Sequence, residues 1–207
     1  MIHHAAVPLL AAIALLTPRP AEALISIEAL YGIARPPSAD FRASVSGAVN
    51  EPDLFDDSLQ IAGGTLLLGL GGLELGVIAD TTFASSSASQ TAVGGLGGFR
   101  FDVGALRVDA LAEVGGHRYG SFLEDPSVIT ASSTEEWLLY LGLRPGVAFR
   151  FGTGRPGVLV GVWGFARWDV SDKHVPVTVS SAGGAAPGSV KLGGTSIGAT
   201  LRLGLEF

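Results

Sequence analysis

The sequence predicts an all-β fold: an eight-stranded antiparallel up-and-down transmembrane β-barrel over residues 24–207, preceded by a signal peptide over residues 1–23. Three observations carry this. Eight segments alternate apolar and polar side chains with a period of two. Inside those segments the charged residues collect on the face opposite the apolar ones. The connections between segments are alternately short and long, which is how membrane barrels arrange periplasmic turns and external loops.

The elements follow in order. Residues 1–23 carry an apolar stretch, Ala5 to Leu16, and the small-x-small triplet Ala21-Glu22-Ala23, which makes Leu24 the expected mature N-terminus. The segment before that stretch has no Lys or Arg, only His3, His4 and the amino group. Strand segments are expected at 24–34, 60–70, 73–83, 91–103, 106–118, 137–151, 158–170 and 192–207. Gly71-Gly72 and Gly104-Ala105 read as tight hairpin turns, and Gly152 to Gly157 as a third short connection. These turns set Leu70 beside Leu73 and Val103 beside Leu106 on the outer face. The connections 35–59, 84–90, 119–136 and 171–191 are longer, hold much of the Ser, Pro, Asp and Glu, and have no helical period. They are read as loops. The stretch from Ile61 to Ala79 is apolar enough to invite a helical reading, but six glycines argue against it, since each costs about 1 kcal/mol in a helix. The last segment alternates to the final residue: Phe207, Leu205, Leu203, Leu201, Ala199 and Ile197 on one face, Glu206, Arg202, Thr200 and Ser196 on the other.

Parity is the sharpest test. Once each face is set by its apolar residues, Glu28, Glu74, Asp80, Arg100, Asp102, Arg107, Asp109, Glu113, Arg144, Arg150, Arg167, Asp169, Arg202 and Glu206 all fall inside. Arg118 alone breaks the pattern, at a strand end within reach of water. An outward Arg at the bilayer midplane costs about 2–4 kcal/mol, which accounts for the sorting. A soluble eight-stranded barrel has the reverse arrangement, apolar inside and polar outside. A soluble sandwich would not need so many charges on its second faces. Aromatic residues bracket the apolar band, with Phe99, Phe101, Phe149, Phe151 and Phe207 near the short-turn end and Phe83, Trp137 and Trp168 near the other.

Composition removes several function classes. Of 207 residues, 15% are charged, against about 25% in ordinary soluble proteins. The net charge of −6 argues against a nucleic-acid partner, which needs a basic surface. Cysteine is absent, so neither a disulfide nor a thiolate metal site is available. No cofactor and no metal site is expected.

With these residues in place the chain resembles the small eight-stranded outer-membrane barrels of Gram-negative bacteria. The carried residues are Leu203, Leu205 and Phe207 with the alternation behind them. They look like that family's C-terminal signal, read by the barrel-assembly machinery. The resemblance implies export through the periplasm, residence in the outer membrane as a monomer, and lipid and lipopolysaccharide as surroundings.

An eight-stranded barrel is just wide enough to be filled by its own side chains. The interior charges are therefore expected to form salt bridges between neighbouring strands. Arg100, Arg107, Arg144, Arg150, Arg167 and Arg202 are set against Glu74, Asp102, Asp109, Glu113, Asp169 and Glu206. The principal expectation is a non-enzymatic protein with a structural role or a surface-binding role through its external loops. A narrow ion conduit is one alternative. A lipid-modifying enzyme with a rim histidine is the other, with His117 near Ser121, Glu113 or Asp80. His117 and His174 are expected at the solvated outer rim. Gly194-Thr195-Ser196-Ile197-Gly198 matches G-x-S-x-G and Gly152 to Gly157 matches G-x-G-x-x-G. Neither opens a helix, so both are read as products of a glycine-rich chain. Acidic loop residues, Asp40, Glu51, Asp53, Asp56 and Asp57, then Glu124, Asp125, Glu135 and Glu136, are read as solvated faces.

Overall fold

The computed structural model describes residues 23–35, 40–43, 59–83, 89–120, 129–131, 135–152, 155–181 and 184–207. The signal-peptide segment 1–22, the acids Glu51, Asp53, Asp56, Asp57, Glu124 and Asp125, and Ser121 lie outside them. Twelve strands are present among the described residues: β1 Ala23–Arg35, β2 Asp40–Ala43, β3 Leu59–Leu70, β4 Leu73–Phe83, β5 Ser89–Val103, β6 Leu106–Gly120, β7 Ile129–Ala131, β8 Glu135–Phe151, β9 Gly157–Asp169, β10 Lys173–Ser181, β11 Gly184–Leu192 and β12 Thr195–Glu206.

Eight of them close a barrel in the order β1-β12-β9-β8-β6-β5-β4-β3, with β3 returning to β1 and all pairs antiparallel. Closure removes the free sheet edges, so backbone polar groups are met within the wall. The seam is continued past Glu206, where Ile25 N–H donates to Phe207 O at 3.3 Å and Phe207 N–H to Ile25 O at 2.9 Å. At the Gly71-Gly72 turn both residues have positive φ, 58° and 96°, which glycine adopts without strain.

The long connections are not irregular throughout. β2, β7, β10 and β11 form a separate four-stranded sheet in the order β2-β11-β10-β7. This corrects the expectation of loops there. Val175 and Val177 alternate in the sequence, but Pro176, Gly184, Pro187 and Gly188 obscured the pattern, since Pro demotes a strand to an edge or a loop. The sheet admits these prolines because each has a ladder partner on one side only: Pro176 faces Ser189 and Pro187 faces Thr178, while β7 pairs with 177–179 and β2 with 188–191. The final barrel strand is also shorter than expected. Leu192 closes β11, and Gly193 and Gly194, with φ of 112° and 143°, separate it from β12.

Outside and inside obey the pleat. Along β8, Leu139 is 67% exposed while Tyr140 is fully buried. The outward set includes Ile27, Leu75, Val114, Leu141, Phe149, Leu201 and Leu203, all exposed. The inner set is not solely charged. Leu30, Leu67, Ile78, Leu96, Leu111 and Trp163 form one buried cluster, and Ala34, Ile61 and Phe165 another. A lumen this narrow is filled to interior density, so apolar groups occupy the space between ionic layers.

Two glycines separate the inner and outer environments. A Cβ at Gly146 would drive into the Trp163 ring, whereas at Gly164 the nearest heavy atom is 3.9 Å away. Gly146→Ala is therefore expected to destabilise the barrel by about 1–3 kcal/mol through overpacking, and Gly164→Ala to leave it unharmed. Urea unfolding in lipid vesicles checks both. In the same assay Leu141→Arg, on the outer face, is expected to cost about 2–4 kcal/mol.

Candidate functional site

The inward parity of the barrel strands stacks the charged side chains in layers along the lumen. At the long-connection end, Asp169 of β9 is a three-way acceptor. His117 Nδ1 lies 2.7 Å from its Oδ1, and Tyr119 Oη donates to Oδ2 at 2.5 Å. Gly194 N–H donates to the same Oδ2 at 3.1 Å. His117 also stacks on Tyr140 with ring centroids 4.2 Å apart. It is 1% exposed, so the expected solvated rim position is corrected: His117 points into the lumen, because it shares the parity of Glu113 and Asp109. His174 is exposed on β10.

The central layer holds Asp80 of β4, Glu113 of β6, Arg144 of β8 and Arg167 of β9, all buried. Arg167 grips Asp80 with two donors, Nη1 to Oδ1 at 2.9 Å and Nη2 to Oδ2 at 2.5 Å. Its Nε donates to Glu113 Oε2 at 2.7 Å. Arg144 Nε donates to Glu113 Oε1, and its Nη2 lies 3.5 Å from Asp80 Oδ2. Two cations thus meet two anions with forked, charge-assisted geometry. Aromatic faces pack the remaining surface of the guanidiniums. Arg167 lies 4.7 Å from the Phe165 centroid and Arg144 5.0 Å from the same ring.

Below it, Arg202 of β12 bonds Asp109 and sits 3.1 Å from Glu28, over the Trp163 ring at 4.4 Å. Trp163 Nε1–H donates to Asp109 at 3.3 Å. At the short-turn end, Arg107 bonds Glu206 and reaches Asp102 at 3.1 Å. Arg100 lies 3.2 Å from Asp102 and 3.8 Å from Glu74, and Arg150 lies 2.8 Å from Glu206. Asp102 and Arg150 are partly exposed at this rim.

The pairing departs from the expected neighbour-to-neighbour ladder. Arg144–Glu113, Arg107–Asp102, Arg100–Glu74 and Arg202–Glu28 do join adjacent strands. Arg167–Asp80 instead joins β9 to β4, on opposite sides of the ring, and Arg202–Asp109 and Arg107–Glu206 both join β12 to β6. The interior is just wide enough for side chains to fill, so an Arg from one wall meets a carboxylate from the far wall as readily as one on a neighbouring strand. Glu28, Asp80, Tyr119, Tyr140 and Trp163 were not among the expected network members. Parity already placed Glu28 and Asp80 inside; the three aromatics carried no charge to draw notice.

Ser196 of the G-x-S-x-G match lies in β12, buried, and faces Arg167 across the β9 ladder. It has no strand-to-helix turn beneath it. Among the described residues no helix is long and apolar enough to cross a membrane, a statement that does not touch spanning strands.

An apolar wall around a closed, ion-paired lumen, with short turns at one end and long connections at the other, is the architecture of an eight-stranded outer-membrane β-barrel. The structure is similar to the N-terminal β-barrel domain of Pseudomonas aeruginosa OprF, with TM-score 0.53 and 13% identity, over 90% of this chain and 99% of that one. It is also similar to Neisserial surface protein A (NspA), with TM-score 0.52 and 11% identity, over 91% of this chain and 98% of that one. At these identities the likeness is one of fold. No protein-family model and no curated protein sequence matches the chain.

Breaking the central layer tests its energetics. Arg167→Met leaves Asp80 and Glu113 short of a cation and is expected to cost about 3–5 kcal/mol. Arg118→Met removes an exposed pair with Glu135 and is expected to cost less than about 1 kcal/mol. Urea titrations of the folded protein in detergent micelles distinguish the two.

Proposed function

We propose that this chain is a monomeric, non-enzymatic outer-membrane β-barrel that acts structurally or by presenting its external strands and loops to a surface partner. The observation that carries the reading is the inside-out sorting: leucines, valines and isoleucines are exposed around the wall while five arginines and their carboxylate partners are buried inside. A water-soluble fold has no use for this arrangement, and a bilayer demands it.

Residues 1–23 serve as the export signal in this reading, and the barrel-assembly machinery reads Leu203, Leu205 and Phe207. The four-stranded sheet stands on the side of the long connections, where a partner outside the cell would meet it. Rigid scaffolds commonly carry their binding residues on such peripheral segments. The catalytic alternative finds no support in the placement of His117, whose ring is held by Asp169 and Tyr140 within the lumen and turned away from the lipid.

Membrane fractionation with heat-modifiability on gels tests the reading. The protein is expected in the outer-membrane fraction, with a folded band that shifts on boiling. A soluble, heat-indifferent protein would overturn it. Phe207→Ala is expected to lower the folded, membrane-inserted fraction several-fold without changing expression, measured by the same gel shift. Lipid A of unchanged mass in cells with and without the protein is the result expected of a non-enzyme.

A further inference from the structure

The β10–β11 hairpin grows out of two neighbouring barrel strands. β10 follows β9 and β11 precedes β12, and β9 pairs with β12 in the wall. The chain bends where hairpin and wall join. Asp169 N–H donates to Gly194 O at 2.9 Å, and the next rung is Lys173 with Leu192. Residues 170–172 therefore stand opposite Gly193 alone. A surplus of residues on one side of a ladder bends the strand. Gly193 and Gly194 take positive φ at this bend, which glycine adopts without strain.

The faces of the hairpin differ. Val175 and Val177 share the sequence parity of inward Arg167 and Asp169, and Val190 and Leu192 that of inward Ser196 and Thr200. All four are buried, while His174, Pro176, Thr178 and Pro187 on the opposite face are exposed. The apolar side of the hairpin thus continues the lumen face of the wall. The mouth of the barrel at that end is covered too. Leu59 opens β3, Gln90 is the second residue of β5, Tyr119 is the last but one of β6, and Asp169 ends β9. Each is an inward residue at the rim of a different strand, and each is buried. β5 stands four steps from β12 in the ring of eight, so the cover reaches the far wall. At the root of the hairpin, Asp169 accepts from Gly194 N–H and also meets His117 and Tyr119. Beside it Lys173 bonds Glu136, and Lys191 lies 2.7 Å from Asp172.

We propose that the β10–β11 hairpin is a hinged lid over the long-connection mouth of the lumen, bending at 170–172 and 193–194 and held shut by Asp169. Its valines and Leu192 face the rim residues, and exclusion of water from that face favours closure. Opening hydrates His117 Nε2, a buried atom without a hydrogen-bond partner, so closure is opposed as well as favoured. One carboxylate serves both the hinge and the His117–Tyr119 pair, which couples the lid to the upper lumen.

The chain has no cysteine, so single-cysteine variants of the full mature protein in detergent micelles report accessibility through their rate of reaction with a water-soluble maleimide. Leu59→Cys and Gln90→Cys probe the mouth, and His174→Cys is the exposed reference. In the full chain both probes are expected to react at least about tenfold more slowly than the reference. Deletion of residues 173–192, which leaves a short turn between β9 and β12, is expected to bring them to the reference rate. Asp169→Ala is expected to speed them several-fold with the hairpin in place. Gel shift on heating verifies that each variant is folded; Asp169→Asn replaces the alanine if that one fails. If the shortened chain fails, Val175→Ser with Val190→Ser strips the covering face at full length. Fast probes in the full chain, or probes still slow once the hairpin is removed or stripped, overturn the lid. Probes unmoved by the Asp169 variant overturn the fastening at the hinge.

Discussion

The four-group cluster of Asp80, Glu113, Arg144 and Arg167 is the constraint from which the remaining structure follows. A wall that turns its apolar side chains to lipid has only its other face for polar ones. In an eight-stranded ring that face encloses a space too narrow to hydrate them. Charges there must be compensated by one another, because an unpaired buried ion costs several kcal/mol. Arginine suits this role, since its planar fork can hold one carboxylate with two donors and still reach a second. Arg167 does this with Asp80 and Glu113. The cluster ties β4, β6, β8 and β9 to a common centre, so the cross-section of the barrel is set by side chains as well as by backbone ladders.

The apolar residues inside the lumen belong to the same solution. The Trp163 ring packs against both the Arg144 and Arg202 guanidiniums, and its Nε1–H donates to Asp109. Phe165 serves both central arginines. Aromatic faces stack on guanidinium planes without competing for the donors along their edges. Aromatic rings therefore pack against the ionic groups inside the barrel, and Gly146 is small because Trp163 occupies the space its side chain would take.

Period and parity made most of the barrel legible. All eight spanning segments were readable within three residues of their ends, because the pleat forces alternation wherever one face meets lipid. The inward orientation of Glu28, Asp80 and His117 was implicit in the same count. What the sequence did not disclose was pairing. Parity says that a residue faces in, but it does not say at what height or to which wall it reaches, so Arg167–Asp80 across the ring was not foreseeable from the strands alone. The outer sheet was missed for a different reason. β10 and β11 carry prolines and glycines that normally end strands, and Val175, Val177 and Val190 are too few to outweigh them.

The seam between β1 and β12 has a consequence for biogenesis. It joins Ser26 to Glu206, so the first and last strands of the barrel must find each other before the ring exists. Loop-closure entropy and slow non-local pairing weigh on that last step. A nascent polypeptide halted ahead of β12 would leave β1 and β9 as open borders, both greasy on one side and rich in unmet amides. Such borders recruit other strands indiscriminately. Both borders are met only when the final strand closes the ring.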